Sequence, residues 1–301
     1  MSKTVLTLVL LAASPVFAQP AAPEGILLLA HGGNADWNAR VVALASIIDH
    51  SRPVEVAFGM ASRPAIQAAV DKLVERRVTG IVAVPLFISS HSSVVTSTAY
   101  LLGARQEMPA DLKIFARMRH GASGGGASHD HHETADGAED NTKPISSPVP
   151  IRMTDALNQH PIVGEILIDR AREISTAPDQ EVVIIVAHGP VPDDDNERWL
   201  LDMKALAAQM EAATDFAAIR YLTVRDDAPA PIKDAATAEL RTLVGDQSKQ
   251  NRRVLIVPLL LSYGGIEKGI RQRLEGLPYV MAERALMPDA RLADWVARAI
   301  Q

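Results

Sequence analysis

Two histidines sit where chemistry is easy to build. His31 lies in Ala30-His31-Gly32-Gly33, and His91 follows Val84-Pro85-Leu86-Phe87. Each comes after a run of aliphatic residues, Ile26–Ala30 and Gly80–Phe87, so each imidazole stands where a buried strand ends and a loop begins. Neighbouring strands lie about 5 Å apart. If these two are neighbours, the imidazoles face each other at metal-pair or acid–base spacing. Imidazole suits first-row divalent ions and also takes up protons near neutral pH. Gly32 and Gly33 remove side chains where a flat, bulky ligand would approach. Ser89, Ser90 and Ser92 offer hydroxyls to substrate carboxylates, or serve as caps and turn formers.

Composition narrows the choices. None of the 301 residues is cysteine, which excludes a disulfide scaffold, a thiolate zinc site, an iron–sulfur cluster and a cysteine nucleophile. The formal net charge is −6, with no basic block, so nucleic acid is not the expected partner. Lys3, the apolar stretch Val5–Ala13 and the small residues of Val16-Phe17-Ala18 form an export signal over residues 1–18, followed by a Pro/Ala linker. The apolar stretch is too short to span a bilayer, which needs about 20 residues. A periplasmic protein without membrane insertion after cleavage is therefore expected.

The elements that position the histidines alternate. Strands at Ile26–Ala30, Val54–Phe58 and Gly80–Phe87 are separated by a helix from about Asp36 to Asp49 and another opening near Pro64; a further helix covers Ser92–Leu102. Continuous apolar strands in βα alternation imply a parallel, doubly wound, flavodoxin-like sheet covered on both faces. In the common 2-1-3-4 order, strands one and three flank the switch point at which such sheets bind ligands.

The pattern then returns. Val182–Ala187 leads into His188-Gly189-Pro190, Val254–Leu260 matches Ile81–Phe87, and Ala285-Leu286 before the last helix matches Ala156-Leu157 before the helix Pro161–Ile174. The expected architecture is two tandem α/β units, residues 24–177 and 178–301, with a cleft between them. The position of His91 is taken by Gly264 in the second unit, which keeps only half of the pair; His188 then belongs to a decayed copy forming the cleft wall. Glu267 either faces the crevice or is a solvated helix-start carboxylate. Between His91 and Ala156 the first unit is longer than its counterpart by about 44 residues. This insertion, about 119–149, is polar and expected to be mobile. It carries His120, His129, His131 and His132, either a metal-capture tract or a solvated spacer. His50 and His160 read as surface or loop residues.

Leu29-Ala30-His31-Gly32-Gly33, Val54–Phe58 with Pro64, and Val84–Phe87 ahead of His91 together resemble the CbiX-type sirohydrochlorin chelatases, class II tetrapyrrole chelatases. The resemblance implies ATP-independent insertion of a divalent ion, Co²⁺ first and Ni²⁺ or Fe²⁺ in relatives, into a sirohydrochlorin-type tetrapyrrole, with no organic cofactor. It implies that His31 and His91 hold the metal and accept pyrrole protons. Glu55 matches the family's strand-two glutamate, or is an ordinary edge carboxylate. There are departures. The turn before His91 is short, Val95-Thr96-Ser97 replaces a common Asp-Ile-Pro, and Met60 stands where a glutamate often follows strand two. They bear on macrocycle specificity and turnover and leave the pair in place. The alternatives are a non-catalytic periplasmic metal-binding or delivery protein and a tetrapyrrole carrier.

Overall fold

The computed structural model describes residues 23–117 and 141–299. The expected signal at 1–18 and the histidines His120, His129, His131 and His132 lie outside the described residues. The unbroken aliphatic runs form the centre of two parallel sheets. In the first, β1 (Gly25–Ala30), β2 (Val54–Phe58), β3 (Ile81–Leu86) and β4 (Ile151–Met153) lie in the order β2-β1-β3-β4. In the second, β5 (Glu181–Ala187), β6 (Ala218–Thr223), β7 (Arg253–Leu259) and β8 (Val280–Met281) repeat that order as β6-β5-β7-β8. β1, β3 and β5 are buried along their whole length, as strands covered on both faces must be.

Equivalent hydrogen bonds close both sheets. Leu157 N–H donates to Phe87 O at 3.1 Å, and Leu286 N–H to Leu260 O at 2.9 Å. The Ala-Leu pairs seen in the sequence are therefore the turns just after β4 and β8, and the short strands lie a few residues upstream. Short fourth strands also explain how a proline sits inside β3 and β7. Ile81 and Ala83 bond toward β4, so Pro85 faces the same side, beyond the last β4 partner at Met153. Pro258 is placed likewise beyond Met281, and neither ring removes a ladder bond.

Caps set the helices. α1 (Ala35–Asp49) starts where Asn34 Oδ1 accepts from Trp37 N–H at 2.9 Å, and α2 (Arg63–Glu75) carries Pro64 in its first turn. α3 (Ser93–Leu101) is capped by Ser92, and the short α4 is Leu112–Phe115. α5 (Pro161–Ile174), α6 (Asp193–Ala213), α7 (Ala230–Lys249), α8 (Ile266–Arg273) and α9 (Ala290–Arg298) follow. The period-2 alternation of the strands sorts their side chains: Leu27 and Leu29 pack outward under α2 and α3, and Ile184 and Val186 under α7 and α8.

The inner faces share one core. Leu28 of β1 and Ile185 of β5 occupy equivalent positions in the two sheets, and both join residues of α1, α5, α6 and α9 in a single cluster. The helices after the fourth strands are exchanged: α5 packs on α6 and β7 of the second sheet, and α9 packs on α1 of the first. The fully buried Ile166 and Leu167 of α5 each contribute about 1.5–3 kcal/mol, and they do so within a core common to both sheets. The chain passes from one sheet to the other at Ser175–Gln180, but the packing does not divide there.

Part of the segment expected to be mobile is docked. Residues 118–140 lie outside the described residues, but the rest of the expected insertion, Asn141–Val149, is bound to the first unit. Ile145 N–H donates to Leu101 O at 2.8 Å, and the Gln67 amide pairs both ways with the Ser146 backbone at 2.9 Å. Ile145 and Val149 pack on the outer core. Two apolar side chains and these hydrogen bonds hold this stretch, which the polar composition of its neighbours masked.

Candidate metal site at the strand ends

β1 and β3 are neighbours in register, Ala30 beside Leu86, so His31 and the loop carrying His91 leave the carboxyl edge of the sheet at its switch point. His31 is exposed, and its Nδ1 lies 2.7 Å from Gly32 O. A carbonyl only accepts, so this contact is a hydrogen bond in the Nδ1–H tautomer. The Nε2 lone pair is then the one available to a metal or a proton.

The loop behind His31 is fixed by its glycines. Gly32 has φ +82°, in the left-handed region that favours glycine. A Cβ on Gly33 would stand 2.9 Å from Trp37 Cγ, and Gly33 N–H donates to Asn38 Oδ1 at 2.8 Å. Both glycines thus have a local reason besides room for a ligand.

The three serines are committed to the His91 loop itself. Ser89, 2% exposed, accepts the His91 N–H at 3.1 Å. Ser90 Oγ accepts from Ala156 N–H at 2.9 Å and Asn158 Nδ2 at 3.1 Å, while Ser90 N–H donates to Asn158 Oδ1 at 2.7 Å. Ser92 Oγ caps α3 through Val95 N–H at 3.3 Å.

The second unit reaches the same loop, which the sequence did not indicate. Trp199 Nε1 on α6 donates to His91 O at 2.7 Å. Asp195 and Asp202 lie one turn to either side of Trp199, and His91 acts electrostatically on both carboxyls. Burial raises both above the ordinary range; Asp194 adds to the effect at Asp195, and His91 partly offsets it at each. A reciprocal contact exists. A Cβ on Gly264, the counterpart of His91, would lie 3.5 Å from Trp37 Cδ1 of α1. The visible signal was a tryptophan entering each of two helices that follow a His-Gly pair.

The remaining candidates lie elsewhere. Glu55 pairs with Leu27, well before the carboxyl end of β2, and is ion-paired to Arg76 at 3.2 Å. β2 is an edge strand. Glu267 Oε2 accepts from Gly264 N–H at 3.0 Å and Gly265 N–H at 2.8 Å, holding the loop at the start of α8. His188 follows β5, with Nε2 3.4 Å from Asp227 Oδ2. Among the described residues no three His, Asp or Glu gather as one metal cage, and no helix is long and apolar enough to cross a membrane.

The fold has solved counterparts. SirB from Bacillus subtilis, determined with Fe³⁺, aligns at TM-score 0.57 and 16% identity over 92% of each chain. The sirohydrochlorin chelatase SirB from Bacillus subtilis subspecies spizizenii, in complex with cobalt, aligns at 0.55 and 14% over 92% of this chain and 95% of that one. DR2241 from Deinococcus radiodurans, a multi-domain protein with structural similarity to chelatases, gives 0.51 and 15% over 93% and 55%. No curated protein sequence matches this chain. The CbiX family model matches residues 25–174, from β1 through α5, including both His31 and His91. Over those residues this chain belongs to the CbiX family.

Proposed function

We propose that this protein inserts a divalent ion into a sirohydrochlorin-type tetrapyrrole without ATP, with Co²⁺ as the favoured ion. The observation that carries the reading is the placement of His31 and the His91 loop side by side at the carboxyl ends of the paired strands β1 and β3, the switch point of the sheet. Family membership and the chelatase-like fold support it. Insertion replaces two pyrrole N–H protons by one M²⁺, so the site must hold the ion and remove two protons. Imidazole nitrogens do both in turn: as the metal leaves for the macrocycle, the freed lone pair accepts a proton. Two ligands leave open positions for the incoming pyrrole nitrogens. The Lys3–Ala18 segment supports export to the periplasm, which cell fractionation and the N-terminal sequence of the mature protein would test.

The test follows sirohydrochlorin absorbance after addition of Co²⁺, with wild type, His31→Ala and His91→Ala. The expected result is acceleration by wild type and loss of at least about tenfold in each variant. A wild-type rate equal to the uncatalysed rate overturns the enzyme reading. Tight Co²⁺ binding without acceleration would then identify a metal-delivery protein, and macrocycle binding without metallation a carrier.

A further inference from the structure

We propose that Asn158, in the turn between β4 and α5, is a positioning residue for His91: its side-chain amide clamps Ser90 and so fixes the loop that carries the imidazole. The proposal rests on the chelatase reading for its purpose, but the clamp itself can be tested without metal.

The two imidazoles stand on separate loops, and a ligand pair works only when both loops are held to within about 0.5 Å. The His31 loop is set by Gly32, by the packing of Gly33 on Trp37 and by the Gly33–Asn38 bond. In the His91 loop the residue just before the histidine makes the connections. Ser90 N–H donates to Asn158 Oδ1 at 2.7 Å, and Asn158 Nδ2 donates back to Ser90 Oγ at 3.1 Å. Ala156 N–H adds a bond to the same oxygen at 2.9 Å. Asn158 is itself anchored, with its N–H on Ile88 O at 2.8 Å and a φ of +46°, a left-handed conformation that Asn adopts more readily than most side chains. Its neighbour Leu157 is buried in the core that both units share, and α5 follows directly. The clamp thus ties the His91 loop to the rigid centre of the molecule.

The second unit supplies the comparison. Met287 N–H donates to Leu261 O at 2.7 Å, as Asn158 N–H does to Ile88 O, so one backbone bond closes the same turn in both units. Yet Met287 stands at the position of Asn158 and Tyr263 at that of Ser90, and the Tyr263 hydroxyl donates to Ala282 O at 2.6 Å. Ser262 matches Ser89, but its Oγ has no hydrogen-bond partner among the described residues, and Gly264 N–H goes to Glu267 Oε2 at 3.0 Å. The fold therefore closes this turn without a Ser–Asn clamp. The clamp is present in the unit that carries His91 and missing where Gly264 takes its place. A pairing that folding alone required would appear in both.

The experiment compares wild type, Asn158→Gly and Asn158→Asp. Glycine keeps the left-handed backbone and removes the amide; aspartate keeps an acceptor for Ser90 N–H and loses the Nδ2 donor. Amide hydrogen exchange of the metal-free proteins, followed by NMR, reads the loop at Ser90 and His91. Calorimetric titration with Co²⁺ reads affinity, and the chelation assay reads KM and kcat. In Asn158→Gly, exchange at Ser90 and His91 should quicken by at least about tenfold while the strand amides of β1 keep their protection. Co²⁺ binding should weaken by about tenfold, and KM for the metal should rise more than kcat falls. Asn158→Asp should fall between glycine and wild type in both exchange and affinity. Unchanged exchange at Ser90 and His91 in Asn158→Gly overturns the proposal, as does unchanged Co²⁺ affinity. Equally faster exchange throughout the first unit also overturns it, since that marks lost stability and no local clamp. If wild type binds no Co²⁺ the chelatase reading fails, and the exchange comparison still decides the clamp.

Discussion

Replacing Arg170 by methionine should loosen the two units by an amount that the hydrogen bonds of this side chain fix. Arg170 is on α5 and 3% exposed. Nε donates to Ala285 O at 2.8 Å and Nη1 to Glu173 Oε1 at 2.9 Å; Nη2 reaches Leu286 O at 3.3 Å and, at 3.5 Å, Pro288 O and Asp289 Oδ2. Met keeps the apolar stem and removes every donor. The two short, charge-assisted bonds carry about 1.5–3 kcal/mol each, and the three longer contacts little. Breaking a buried ion pair costs about 3–5 kcal/mol when a charge is stranded. Neither carboxylate partner is stranded here. Asp289 retains Arg291 at 2.8 Å, and Glu173 retains Arg284. Part of the lost energy is also recovered by the apolar replacement, so the expected loss is about 2–4 kcal/mol.

At about 2–4 °C per kcal/mol for a chain of this size class, Tm falls by roughly 5–15 °C. Calorimetry and circular dichroism read that shift. Arg172→Met is the control, because Arg172 is exposed and bonds Ala213 O at 3.0 Å; it should change stability by about 0.5 kcal/mol or less. A loss below about 1 kcal/mol in Arg170→Met, or equal losses in both variants, would refute the claim that Arg170 joins α5 to the turn before α9.

Trp199→Phe removes the donor to His91 O while keeping most of the buried ring; about 1–3 kcal/mol of stability and a few-fold in Co²⁺ affinity should be lost, and calorimetric titration with unchanged affinity would count against α6 steadying the loop. Gly33→Ala places a Cβ against the Trp37 ring and should cost about 1–3 kcal/mol by overpacking, with a changed tryptophan fluorescence spectrum as a local reporter. Burial alone would raise the Glu181 carboxyl, but Ser175, Thr176 and Arg253 more than offset it and hold it below the usual range. A depressed carboxyl contributes stability that is present above its unfolded value, about 4.3, and lost as pH falls through the folded one. Glu181→Gln should therefore be less stable than wild type at pH 7 and lose less on acidification below about pH 4.5, measured by denaturant titration across pH.

How far the sequence carries depends on the range of the interaction concerned. Strand positions and the β2-β1-β3-β4 order follow from local signals: continuous aliphatic runs, a proline near Arg63, His-Gly loops at strand ends. Glu55 shows what a matched motif leaves out. Its strand was read correctly, but distance from the carboxyl end and the presence of Arg76 on the chain just after α2 are tertiary facts. The docked Asn141–Val149 stretch failed for a related reason, since low average hydrophobicity hid two anchoring side chains. The helix exchange was beyond reach, because α5 and α9 have amphipathic faces that fit either sheet equally well by pattern. That exchange makes one core of two units and brings α6 over the His91 loop, 108 residues away in the chain. The spacing of Asp195, Trp199 and Asp202 is readable as one helical face; which loop that face meets is not. The two strand-end histidines were thus legible from the first unit alone, and the Trp199 bond to the His91 loop only from the packing of both.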